Sequence, residues 1–167
     1  VLTAETCLRQ LDYNQAFGIL RQCHDSAISA SALPILMQSA YLLSWIKTQQ
    51  GELYQAARII EDSLKLLDSP LKQARWEVPM IGAAQTALAN IYLEWNRIEE
   101  ADQAAQSGIQ MLELTDLVGM TAHAYLTRFA TMCRLGANNS EIKHLLVKLE
   151  SIERYRTGAA PLARTLE

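Results

Sequence analysis

The sequence predicts an all-α chain, a superhelical stack of about four antiparallel helical hairpins with about eight helices in all. The first reason is composition: 50% of the 167 residues are apolar and 20% are charged, as in chains that fold around a core. The second is the scarcity of breakers, since 7 Gly and 4 Pro suit helices with short connections better than a many-turned β fold. The third reason is an internal repeat.

The repeat becomes visible when three segments are aligned: LDYNQAF (11–17), GELYQAA (51–57) and NRIEEAD (96–102). Each segment has a polar or Gly break, then an apolar residue, and three residues later an alanine, which is Ala16, Ala56 or Ala101. Two further sets of small residues keep fixed offsets from these alanines: Ala4, Ser44 and Ala89 before them, and Cys23, Ser63 and Gly108 after them. The alanines are spaced by 40 and 45 residues, a period that indicates stacked structural repeats.

Small residues at constant offsets have a physical reason. Two antiparallel helices approach closely only where neither helix carries a large side chain at the crossing. Each repeat is therefore predicted to be a helical hairpin. The first helices of the four hairpins are predicted near residues 2–10, 35–49, 79–95 and 120–135. The second helices are predicted near residues 13–25, 52–68, 98–114 and 140–154.

Helix-end signals agree with this division. Asp12 can cap the second helix of the first hairpin, Gly51 lies in the turn of the second hairpin, and Gly136 ends a helix where a left-handed residue is favoured. The fourth hairpin is less regular: Ile142 stands where alanine is expected, so its register is interpreted as shifted by one residue. The repeats predict one domain over residues 1–155. The segment 156–167, rich in small residues, is interpreted as a linker or C-terminal tail.

One unit, ALANIYLEWNRIEEADQAAQSGI (87–109), resembles the tetratricopeptide repeat (TPR). Its residues at that family's consensus positions are Leu88, Ala89, Tyr92, Asn96, Ile98, Ala101 and Gly108. Two positions differ from the consensus, because Asn96 replaces the usual turn glycine and Ala105 stands where a large residue is usual. The period exceeds the usual length of about 34 residues. In this respect the chain resembles the sensor region of MalT-like, LuxR-type bacterial transcriptional activators.

Composition and motifs argue against several classes of function. The formal charge of −3 offers no basic patch, so direct contact with nucleic acid is not expected. The uncharged window 26–46 contains several serines and Pro34, so a buried helix is expected there rather than a membrane span. The scattered cysteines Cys7, Cys23 and Cys133 are typical of reduced thiols in a cytoplasmic protein. Phosphate-loop, nucleophile-elbow and zinc motifs are missing, so no catalytic residue, metal or cofactor is predicted.

Binding is expected instead on the concave side of the stack, which the first helices line. The alignment places the following residues on that side: Gln38, Tyr41, Trp45 and Thr48; Ala83, Thr86, Asn90 and Leu93; and, with the one-residue shift, Ala124, Thr127, Thr131 and Arg134. The candidate binding residues among them are Gln38, Tyr41, Trp45, Thr86, Asn90, Thr127, Thr131 and Arg134. Aromatic rings with a few polar groups suit a small ligand or a peptide. The alternative is that Tyr41 and Trp45 pack against a neighbouring helix.

The leading hypothesis is a ligand- or protein-binding sensor domain of a MalT-like, LuxR-type bacterial regulator. An inducer or a regulatory protein would bind in the groove, and the resemblance implies contacts with other domains of the same longer chain. These would be a nucleotide-binding switch module before the repeats and a helix-turn-helix module after them. The alternative is a general TPR scaffold for protein–protein interaction. Uncapped ends of hairpin stacks associate readily, which leaves a homo-oligomer open.

Overall fold

The computed structural model describes residues 12–66, 78–115 and 117–157, which form seven α-helices. They are α1 (Tyr13–Ser29), α2 (Leu33–Gln49), α3 (Leu53–Leu66), α4 (Val78–Glu94), α5 (Ile98–Leu112), α6 (Val118–Leu135) and α7 (Asn139–Thr157). The predicted all-α hairpin stack is confirmed. The predicted helix at 2–10, together with Ala4 and Cys7, lies outside the described residues. Helix α7 runs three residues beyond its predicted end at 154.

Four helices end in the same way. Each is followed by a residue with positive φ, namely Ser31 (52°), Gly51 (77°), Asn96 (57°) and Gly136 (71°). The N–H of the next residue donates to a carbonyl five residues back, in the pairs Ala32 to Ala27, Glu52 to Lys47, Arg97 to Tyr92 and Ala137 to Met132. This is the Schellman closure of a helix. The predicted turn roles of Gly51 and Gly136 are confirmed, and Asn96 takes the conformation expected of a glycine because asparagine tolerates it.

Side-chain caps fix two helix starts. Asp12 Oδ1 accepts from the N–H of Gln15 at 3.0 Å, so the predicted cap of α1 is confirmed. At α7, Asn138 Oδ1 accepts from the N–H groups of Ser140 and Glu141, both at 3.0 Å. Glu141 Oε2 accepts in return from the N–H of Asn138 at 3.2 Å, which completes a capping box. Helix α7 therefore begins one residue earlier than predicted.

The helices form two layers. Each helix packs against the next helix along the chain. In addition, α2 packs against α4, and α4 packs against α6. The first helices α2, α4 and α6 thus lie side by side, and the second helices α1, α3, α5 and α7 cover their other side. The core continues through the stack, with Leu20 and Ile46 buried between α1 and α2, and Met37 and Ile91 buried between α2 and α4.

The repeated small residues lie where the helices cross. Ala16, Ala56 and Ala101 are fully buried. The closest approach joins α4 and α5: a Cβ atom added to Gly108 would lie 2.6 Å from Thr86 Oγ1 and 2.9 Å from the carbonyl oxygen of Gly82. Gly82 was not singled out in the sequence, although it supplies the other half of this contact. The two backbones touch, as the pattern of small residues predicts.

Adding a single methyl group at Gly108 should push α4 and α5 apart. Gly108→Ala is expected to lower the free energy of unfolding by about 1–3 kcal/mol, because the new Cβ overlaps Thr86 and the α4 backbone. The matched control is Gly18→Ala in α1, where an added Cβ meets no atom within 4 Å. This control should raise the free energy of unfolding by about 0.5–1 kcal/mol, since alanine favours a helix interior. Urea unfolding measures both, and equal effects would contradict the close crossing.

Candidate functional site

A cavity of about 140 Å³ opens where α2, α4 and α6 meet on the side of the first helices. Its lining combines residues from all three helices: Tyr41; Ala83 and Thr86; and Gly119, Met120 and His123. We call it the concave cavity. Tyr41, Ala83 and Thr86 belong to the stripe that the sequence placed on this side. Gly119, Met120 and His123 were missed.

The concave cavity carries no formal charge near neutral pH. Burial raises the pKa of the Tyr41 phenol, which therefore keeps its proton and can donate a hydrogen bond. The ring of His123 lines the cavity, and its partial burial lowers the pKa of the imidazole, which favours the neutral form. Thr86 Oγ1 donates to the Gly82 carbonyl at 2.9 Å and faces Gly108 of α5, so this hydroxyl is used within the α4–α5 contact. The site suits an uncharged group that can form hydrogen bonds.

The predicted stripe on α6 is one residue out of register. Ala124, Thr127 and Thr131 are buried, while the residue next to Thr127, Leu126, is 54% exposed. The exposed stripe is His123, Leu126, Ala130 and Cys133, and of the predicted residues Arg134 alone is exposed. The assumed shift is wrong because the left-handed turn residues, and not the alanines, are equivalent. Counting back from Gly136 as from Gly51 and Asn96 gives the observed stripe.

The polar candidates on α4 and α6 bond within the stack. Asn90 Nδ2 donates to the carbonyl of Thr86 at 3.1 Å, and Thr127 Oγ1 lies 3.2 Å from Asn90 Oδ1. Arg134 Nη1 donates to the carbonyl of Leu93 at 2.8 Å, and Thr131 Oγ1 lies 3.0 Å from Asp102 Oδ1. These contacts hold α6 against α4 and α5. A binding role for the four side chains stays a prediction.

These observations can now be compared with known proteins. The family described as the MalT-like TPR region matches residues 1–154. The chain belongs to this MalT-like TPR family. The resemblance identified from the sequence is thereby confirmed, and membership of a repeat family favours a non-catalytic binding domain. No curated protein matches the chain.

The candidates on α2 keep partial access to solvent in the MalT-like TPR stack. Gln38, Tyr41 and Thr48 are half-buried, and Trp45 is 36% exposed. The ring of Trp45 packs edge-on against Tyr13 of α1, with 5.8 Å between the ring centroids. The sequence offered two readings for Trp45, and packing on a neighbouring helix is observed. Part of the indole remains accessible beside this contact. A role of Trp45 in binding stays a prediction.

A larger cavity of about 470 Å³ lies between α1 and α3 of the MalT-like TPR stack, over α2. Its charged walls pair internally, with Arg21 Nε 3.5 Å from Asp25 Oδ1 and Arg58 Nη2 3.7 Å from Asp62 Oδ2. All four side chains are more than half exposed, so water already solvates these charges. This cavity is a weaker candidate than the concave one, which joins three helices.

Other kinds of site were searched for in residues 12–66, 78–115 and 117–157. Within these ranges no group of three or more His, Cys, Asp or Glu side chains is placed to hold a metal ion. None of the helices described is long and apolar enough to cross a bilayer. Cys23 is a partly buried thiol and Cys133 is an exposed one. His24 lies on α1 with Nδ1 3.1 Å from Ser39 Oγ, and His144 lies on α7.

The lowered pKa of His123 makes the free energy of unfolding depend on pH. Its pKa in the folded chain lies below the reference value of 6.5, so the unfolded chain binds more protons as the pH falls through that window. Stability should therefore be lost on acidification from about pH 7.5 to pH 5.5. Glutamine does not titrate, so His123→Gln should lose less stability than the native chain over the same range. Urea unfolding at both pH values measures this, and identical pH dependence in the two chains would refute it.

Proposed function

We propose that this domain is the sensor of a MalT-like, LuxR-type bacterial transcriptional regulator in the cytoplasm, and that it binds an inducer or a regulatory protein on its concave side. The observation that carries the proposal is a cavity shared by α2, α4 and α6 in a chain of the MalT-like TPR family. A site built from three successive hairpins responds to their relative positions. The domain binds and does not catalyse.

The size of the concave cavity narrows what it can hold. Pockets for drug-sized ligands usually measure about 300–1,000 Å³, whereas this one is near 140 Å³. It therefore accommodates a small metabolite, or a single anchoring side chain of a larger partner. The exposed apolar surface of Leu126 on the same side extends the contact area for a larger partner.

Binding would act by shifting a population of conformations. The helices around the cavity are held together by Asn90, which bonds to Thr86 and meets Thr127 across the α4–α6 contact. A ligand that touches α2, α4 and α6 favours the spacing at which all three contacts are made. It shifts the equilibrium only as far as its affinity differs between spacings. In this way occupancy could reach modules docked elsewhere on the longer chain.

Filling the cavity should abolish binding without unfolding the chain. Gly119 lines the cavity and an added Cβ there meets no atom within 4 Å, so Gly119→Leu places bulk in the site at little cost. The matched control is Gly18→Leu on α1, where space is equally open. Small metabolites and candidate peptides are first titrated against the native chain by calorimetry. For any binder found, Gly119→Leu should weaken affinity by about tenfold or more, and Gly18→Leu should not.

The outcomes separate the two candidate functions. Saturable binding of a small metabolite that Gly119→Leu removes supports the sensor. Binding of peptides alone, unaffected by Gly119→Leu, favours the general TPR scaffold. A binder whose affinity falls equally in both variants would show that the concave cavity is not its site.

The regulator assignment has a test of its own in the flanking sequence of the full-length protein. A nucleotide-binding module should precede the repeats, and a helix-turn-helix module should follow them. Reading the gene in both directions decides this. If neither module is present, the regulatory role is rejected while the binding role of the stack is unaffected.

A further inference from the structure

A second cavity, of about 410 Å³, lies between α6 and α7. We call it the outer cavity. One part of its lining is apolar, with Met132 of α6 and Leu145 of α7, and another part carries the nitrogen donors of Arg128, His144 and Lys148. Its volume is within the usual range for small-ligand sites, about 300–1,000 Å³. No residue predicted from the sequence lines it.

The outer cavity faces away from the concave one. At 3.6 residues per turn, Arg128 and Met132 lie on the side of α6 roughly opposite His123, which lines the concave cavity. A ligand here would occupy a site distinct from the one proposed for sensing. The two sites share α6 and no lining residue.

Arg128 contributes an unsatisfied buried donor. Its Nε is buried and has no hydrogen-bond partner among the described residues. The nearest carboxylate is Asp102, whose Oδ1 lies 3.7 Å from Nε, too far for a hydrogen bond although close enough for charge attraction. Thr131 Oγ1 lies 3.0 Å from the same Oδ1 and helps hold Asp102 in place. A buried donor without a partner costs free energy, and a guanidinium group is well shaped to bind a carboxylate.

Lys148 supplies a second positive charge that is loosely held. Its Nζ lies 3.8 Å from Glu113 Oε1, again beyond hydrogen-bond distance, and about half of each side chain is exposed. Glu113 also accepts a hydrogen bond from the Tyr125 hydroxyl at the edge of the cavity. The carboxylates of Glu113, Glu141 and Asp102 outnumber the two cations, Arg128 and Lys148, so the potential around the cavity is not positive overall. One negative charge is therefore tolerated better than two, which disfavours phosphate.

We propose that the outer cavity binds a monocarboxylate with an apolar body, its carboxylate paired with Arg128 and its apolar part packed against Met132 and Leu145. The ligand gives the partly exposed guanidinium group of Arg128 a carboxylate partner and covers apolar surface in the same step. Lys148 adds attraction from the exposed rim.

The test uses hexanoate as probe, with the neutral isostere hexanamide and inorganic phosphate as comparisons. Each is titrated into the ¹⁵N-labelled chain while the amide resonances are followed. Hexanoate should produce saturable shifts around Arg128, Met132 and Leu145, and the other two compounds should not. Equal shifts with hexanamide would show that the charge is irrelevant, and binding of phosphate alone would replace the carboxylate by an inorganic anion. Either result overturns the proposal.

Two matched arginine variants test whether Arg128 supplies the charge that pairs with hexanoate. Arg128→Gln should weaken hexanoate binding by about tenfold or more. The control is Arg58→Gln on α3, which should leave the affinity unchanged. Arg58 also has its carboxylate partner 3.7 Å away, but the arginine side chain is 62% exposed. Should Arg128→Gln fail to fold, Lys148→Gln on the exposed rim should still lower the affinity several-fold. Unchanged affinity in both cavity variants would refute the site.

Discussion

The contact between Gly82 and Gly108 is the constraint from which the functional side of the molecule follows. Because neither residue has a side chain, the backbones of α4 and α5 touch, and Thr86 lies directly against Gly108. Thr86 also lines the concave cavity, where α2 and α6 approach α4 from either side. The depth of the cavity is thus set by how closely α4 sits on α5. The contact that the hairpin requires therefore also affects the shape of the candidate binding surface.

The repeat determined how much of the structure could be predicted from the sequence. Alanines and small residues at fixed offsets predicted the helices and their pairing. On α2 they also placed Tyr41 on the side where it lines the concave cavity, because Gly51 and Ala56 imply the same register. On α6 the turn residue and the alanine position imply different registers. The turn residue is Gly136, and the alanine position is occupied by Ile142. Following the alanine position placed the stripe one residue too far along. The backbone conformation of the turn was the more reliable marker of register.

Polar partners could not be predicted in the same way. Asn90 and Thr127 were singled out as candidate binding residues of the groove, yet they meet each other across 37 positions of sequence. Thr131 likewise finds Asp102 on a different helix. A repeat specifies which face a residue occupies and not whether a neighbour already satisfies it. The outer cavity shows the converse, since Arg128 was not singled out in the sequence and its Nε is buried without an acceptor among the described residues.

The layered order of the helices also has a consequence for how the domain comes apart. Among the described helices, α7 packs against α6 alone, and of its side chains from 139 to 152 only Leu145 and Leu149 are buried. In a linear array each helix depends on its immediate neighbours, so a helix with one packing partner and few buried side chains opens at a low free energy. Amide exchange would therefore be graded along the array, fastest in α7 and slowest around α4. Because α7 forms one wall of the outer cavity, the walls of this cavity separate before the contacts around α4 loosen.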